Sequence, residues 1–89
     1  MNHPVAEFLK LLPDVNAPEI ALEEDGDLCF DWWGRDGGSF SASLREDGNV
    51  SWSGLWNGGT EKATGHFILT GDGLPRDFVK ALKEFEVGR

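Results

Sequence analysis

Six carboxylates fall between positions 19 and 31, namely Glu19, Glu23, Glu24, Asp25, Asp27 and Asp31, and no Lys or Arg stands among them. Uncompensated acids at that density create a field that repels a phosphate backbone or an anionic leaflet and attracts a basic protein surface. Spaced along a strand pair and its turn, they can imitate a row of phosphates and occupy the groove of a nucleic-acid-handling protein, with electrostatic steering to speed the encounter. Acids on an edge hairpin also have a plainer use, keeping it soluble and blocking edge-to-edge pairing. A surface made only for solubility usually mixes both signs, and this block does not.

A second group combines Trp33 and Leu55 with Ser39, Ser41, Ser43, Ser51 and Ser53. In extended chain all of these occupy alternate positions, and together with Cys29, Asp31 and Arg45 they share one side of a sheet. Small hydroxyls let another backbone or ring come close, and an exposed indole is a natural anchor at an interface. The plainer reading covers Trp33 partly with the turn at 35–38 and leaves the serines as solvated strand positions.

Metal and catalytic chemistry find less support. Asp25-Gly26-Asp27 matches a fragment of a calcium loop, but the twelve-residue pattern with its closing bidentate Glu is missing, so the tripeptide reads as a hairpin turn. His3, His66 and Cys29 have no helical or strand spacing that would gather them around zinc. Gly37-Gly38-Ser39 and Gly58-Gly59-Thr60 lie between strands and not at a helix N-terminus, where N–H groups converge on a phosphate. With no nucleophile beside a base and no paired carboxylates in an apolar pocket, the expectation is a protein without enzymatic activity, metal or cofactor.

The elements that position these residues follow from periodicity. Val5, Phe8, Leu9 and Leu12 recur at helical spacing after Pro4, and Pro13 ends the pattern; residues 13–18 then form a connector that resists helix and central strand alike. From Glu19 the period becomes two. Ile20 and Leu22, then Leu28, Phe30 and Trp32, then Phe40, Ala42 and Leu44, then Val50, Trp52, Gly54 and Trp56 alternate with polar or exposed positions, and a last strand occupies about 60–70. Asp25-Gly26, residues 35–38, Asp47-Gly48-Asn49 and Asn57-Gly58-Gly59 supply the turns. Leu74-Pro75-Arg76-Asp77 opens a second helix with Phe78, Val79, Leu82 and Phe85 on one stripe, closed by Gly88. The expected fold class is therefore α+β: a five-stranded antiparallel meander with an N-terminal and a C-terminal amphipathic helix packed on one face, the other face in water.

Composition sets the bounds. The 89 residues give room for one domain, 1–89, and four Trp and six Phe can fill its core without disulfide or metal. The formal charge is -8, and nearly all of it resides in the first half of the chain. A lone cysteine, Cys29, fits a reducing cytoplasm, and the opening stretch carries Glu7 and Lys10 and lacks the basic start and cleavage site of an export signal. No run approaches the roughly 20 apolar residues of a membrane span.

Over residues 18–55, the order Pro18-Glu19-Ile20, Asp25-Gly26, Leu28, Trp32 and Asp47-Gly48-Asn49-Val50 resembles a pattern in small bacterial α+β proteins: strand, Asp-Gly turn, strand ending in Trp, strand, Asp-Gly turn, strand. The resemblance implies a bacterial or mobile-element origin. In size and acidity the chain is also similar to phage and mobile-element inhibitors of the anti-CRISPR and anti-restriction type, a likeness of bulk properties that assigns no residue a role. The expected function is that of an acidic, DNA-mimicking inhibitor or immunity protein. Its partner is a protein with a basic surface, contacted through Glu19, Glu23, Glu24, Asp25, Asp27, Asp31, Trp33 and Leu55, with no direct nucleic-acid or membrane binding. The alternatives are a small carbohydrate-binding module, with Trp33 stacking on sugar rings (joined by Trp52 or Trp56 in a shifted register), and a homo-oligomer pairing through an exposed strand.

Overall fold

A computed structural model describes residues 4–34 and 37–87. The elements are α1 (Val5–Leu11), β1 (Glu19–Leu22), β2 (Leu28–Trp33), β3 (Ser39–Leu44), β4 (Asn49–Trp56), β5 (Glu61–Ile68) and α2 (Arg76–Val87). The five strands form one antiparallel sheet in the order β1-β2-β3-β4-β5, so each strand pairs with its neighbour in sequence and β1 and β5 are the edges. This is the meander that the turn spacing predicts. His3, Gly88 and residues 35–36 lie outside the described residues.

Two of the turns share one geometry. Glu23 N–H donates to the Asp27 carbonyl at 2.7 Å, Gly26 N–H to the Glu23 carbonyl at 3.1 Å, and Asp27 N–H to Asp25 Oδ1 at 3.1 Å. The β3–β4 turn repeats each bond, with Arg45 and Asn49, Gly48 and Arg45, and Asn49 and Asp47 at 2.9, 3.0 and 3.0 Å. Gly26 and Gly48 have φ of 91° and 92°, so a residue without Cβ completes each turn while the Asp before it caps the next N–H. The calcium-like tripeptide is thus a hairpin turn.

The inward residues of the strands meet the helices in one buried cluster. Phe30, Trp32, Phe40, Ala42, Leu44, Val50, Trp52 and Trp56 from the sheet join Phe8 from α1 and Phe78, Ala81, Leu82 and Phe85 from α2. Phe8 lies 4.8 Å from Phe30 between ring centroids, and Phe40 stacks on Trp52 at 5.5 Å and 14°. Gly65 makes room for this stack, because a Cβ there would come within 2.7 Å of the Trp52 indole. The Trp32 indole N–H donates to the Asn16 carbonyl at 2.8 Å and ties the α1–β1 connector to the sheet.

Alternation misjudges one strand. Ile20 and Leu22 face the same side as Phe30 and Leu28, their partners in register, yet they are 50% and 73% exposed. Periodicity reports which side a residue faces, and burial also needs a covering element, which a short edge strand does not have here.

Candidate interaction surface

The opposite side of the sheet can be built row by row from the register. Glu19, Asp31, Ser41, Ser53 and Thr64 form one row across all five strands, and Ala21, Cys29, Ser43, Ser51 and His66 form the next. Trp33, Ser39, Leu55 and Lys62 make a third row at the end of the sheet. Five serines and Thr64 therefore floor the centre of this hydroxyl face. Carboxylates hold its β1–β2 margin, and Lys62 and His66 hold its β5 margin.

The carboxylates divide by position. Glu23 and Asp27 close the first hairpin on the same side as Glu19 and Asp31, because all four are an even number of residues apart along paired strands. Two like-charged pairs thus stand opposite each other across β1 and β2, an arrangement that costs stability. Glu24 and Asp25 form the exposed tip. Among the described residues one ion pair touches the block, with Arg45 Nε 3.9 Å from Asp27 Oδ2. Arg45 comes from the β3–β4 turn, so counting charges within 19–31 misses it. At that distance and exposure it offsets little of the block's charge.

Asp31 and Glu19 are engaged within the sheet. Asp31 Oδ1 accepts from the Ser41 hydroxyl at 2.6 Å and from the Cys29 thiol at 3.7 Å, and the residue is half-buried. Glu19 Oε2 accepts the Trp33 indole N–H at 2.7 Å, which orients a ring that remains 56% exposed. Leu55 is 42% exposed and shares Trp33's row across Ser39. Of the eight expected contact residues, Glu19, Glu23, Asp27, Asp31, Trp33 and Leu55 share this face, and Glu24 and Asp25 cap its acidic corner. Trp52 and Trp56 are buried on the other side.

Cys29 sits among acids. Burial pushes its thiol above the usual range, and the charges of Asp31 and Glu23 and the hydrogen bond to Asp31 add to the shift. A thiol held in its neutral form is a poor nucleophile. Its contribution to stability is full below the unfolded-state value and is lost as pH rises through the folded one. Alkylation of Cys29 by iodoacetamide is therefore expected to follow a pH profile displaced upward from that of a free cysteine peptide. Asp31→Asn should move the profile part of the way back, since burial is the leading cause. A profile matching the free peptide in the parent chain would contradict this assignment.

His66 Nε2 lies 3.0 Å from Asn49 Oδ1. Asn49 also donates to Asp47, first from its side chain and then from its N–H, and these bonds hold the exposed Asp47 carboxyl below its usual range. His66 and Cys29 stand in one row with β3 and β4 between them, too far apart to act as a pair. Among the described residues no three His, Cys, Asp or Glu side chains are grouped to hold a metal ion. No helix of the described residues is long and apolar enough to cross a membrane.

Sequence reasoning did not place Lys62, Thr64, His66 and Ile68 on this face. Their alternation with Ala63, Gly65 and Phe67 carries the signal, weakened because two of the three inward residues are small. No family model, curated protein or solved structure matches the chain.

Proposed function

We propose that this chain is a non-enzymatic interaction protein that occupies a basic surface of a larger protein, its sharpest form being an inhibitor that takes the place of nucleic acid on a nucleic-acid-handling protein. Neutralisation of a basic toxin uses the same surface. The observation that carries the reading is the gathering of Glu19, Glu23, Asp27 and Asp31 on one side of the β1–β2 hairpin, with Glu24 and Asp25 at its tip and, among the described residues, a single ion pair, Arg45 to Asp27 at 3.9 Å. In this reading both helices cover the aromatic side of the sheet and leave the hydroxyl side to the partner. Trp33, oriented by Glu19, and Leu55 supply apolar contact beside the charge. The lone Cys29 fits action in a reducing cytoplasm.

The test is a salt titration of a complex recovered from the cells that make the protein. At an ionic strength near 0.1 M the Debye length is about 10 Å, so a complex steered by exposed carboxylates weakens steeply as salt rises. The expected partner also loses its nucleic-acid binding when the chain is added. A partner held equally well at low and high salt, with nucleic-acid binding intact, would overturn the proposal.

The exposed Trp33 ring favours a second reading, a carbohydrate-binding module in which it stacks on a sugar face while neighbouring hydroxyls bond to the sugar. With Trp52 and Trp56 buried, the aromatic platform in that reading reduces to one indole. A glycan array without a hit removes it.

A further inference from the structure

The free edge of β1 combines three properties that the proposed function does not by itself require. The Glu23 N–H to Asp27 carbonyl bond makes that pair a hydrogen-bonded one. Hydrogen-bonded and non-bonded pairs alternate along an antiparallel ladder. Glu19 and Ala21 therefore turn their backbone groups toward β2, and Ile20 and Leu22 turn theirs to the open edge. The same two residues present exposed aliphatic side chains on the aromatic side of the sheet. On the other side stand Glu19 and Glu23, with the small Ala21 between them. The edge thus offers main-chain bonding groups, an apolar rail and an acidic rail in strict alternation.

Resting on the functional reading above, we propose that this edge binds an extended basic segment of the partner protein as an added antiparallel strand. The guest alternates Arg or Lys with apolar residues. Its apolar side chains lie opposite Ile20 and Leu22 and extend the apolar side of the sheet, and its basic side chains lie opposite Glu19, Ala21 and Glu23. Strand addition of this kind draws affinity from main-chain hydrogen bonds and specificity from alternate side chains.

Charge decides the occupant. A second copy paired with β1 about a two-fold axis at Ala21 would set Ile20 against Leu22 favourably but Glu19 against Glu23, and like charges directly opposite are destabilising. A copy using its β5 edge offers Lys62 and His66 but brings a whole chain of formal charge -8. The carboxylates that guard the edge against self-pairing therefore select a guest of the opposite sign.

The experiment uses two synthetic peptides of alternating Arg and Val with equal charge, one of them N-methylated at the Val nitrogens that face β1. The readouts are binding to the intact chain and hydrogen exchange at the Ile20 and Leu22 amides. The unmodified peptide is expected to bind and to slow exchange at those two amides at least tenfold. N-methylation should weaken binding about tenfold or more, because each blocked edge bond is lost outright. Equal binding of the two peptides would overturn strand addition and leave the electrostatic reading standing. Binding of neither would overturn both. Concentration-dependent self-association that protects Ile20 and Leu22 without peptide would overturn the choice of occupant.

Discussion

Phe40→Ala is expected to be among the most destabilising single truncations in this protein, costing about 3–5 kcal/mol. Phe40 lies near the start of β3, the middle strand, and is fully buried. Its ring stacks on Trp52 and meets Trp32, Trp56, Phe78 and Phe85 at centroid distances of 5.8, 6.4, 5.8 and 5.8 Å. Five aromatic neighbours from two strands and α2 would line the space left by truncation. Rigid rings held by backbone on several sides collapse poorly into such a space, which places the cost high in the usual range. Native domains hold only about 0.05–0.15 kcal/mol per residue, so the loss is a large share of the total. Phe40→Leu keeps much of the volume and should cost less than half as much. Urea or thermal unfolding followed through Trp fluorescence measures both. A loss under about 1 kcal/mol for Phe40→Ala would mean that Phe40 is not the hub of the core.

The same residue shows why so much of the fold is legible in the sequence. Phe40, Ala42 and Leu44 alternate with serines, and in a middle strand with one buried side such a pattern has one satisfactory register. The Asp-Gly turns fix where the pattern starts and stops, because the left-handed residue that ends each turn excludes other placements. Where legibility fails, the missing information is tertiary. Ile20 and Leu22 carry a core pattern but lie at an edge that no element covers. Arg45 lies far from Asp27 in sequence and reaches it because two hairpin turns of identical form end at the same side of the sheet. The outward set of β5 was obscured because Ala63 and Gly65 are small, and Gly65 is small because the Trp52 indole occupies the space above it. Trp33 faces outward as alternation expects, but its bond to Glu19, fourteen positions earlier in the chain, is a tertiary contact that alternation does not predict.

Charge reversal at the hairpin should produce the largest change in function. The variant combines Glu23→Lys, Glu24→Lys and Asp27→Lys with Asp25→Asn. The asparagine keeps an oxygen acceptor for the Asp27 N–H bond that shapes the turn. Removing the like-charged Glu23 and Asp27 pair by reversing both leaves a like-charged pair of opposite sign, and Arg45 now faces a cation at position 27, so folding stability is expected to change by no more than about 1 kcal/mol. Association with a basic partner should respond far more. Steering raises on-rates by about 10 to 10³-fold, and most of that gain is expected to vanish, together with the dependence of the rate on salt. Dissociation should change less, because rim charges act chiefly on encounter while edge-strand hydrogen bonds still hold the peptide, and Trp33 and Leu55 the recovered partner. Stopped-flow mixing with the Arg/Val peptide, and with the recovered partner, separates the two rates. A matched control makes the same change in net charge elsewhere, combining Glu61→Lys, Asp72→Lys and Glu84→Lys with Asp14→Asn, all exposed carboxylates outside the hairpin. If the control slows association as much as the hairpin variant, bulk acidity and not the β1–β2 corner does the steering. If neither slows it, the carboxylates have no part in recognition, and the acidic block serves only to keep an edge strand from pairing with its own kind.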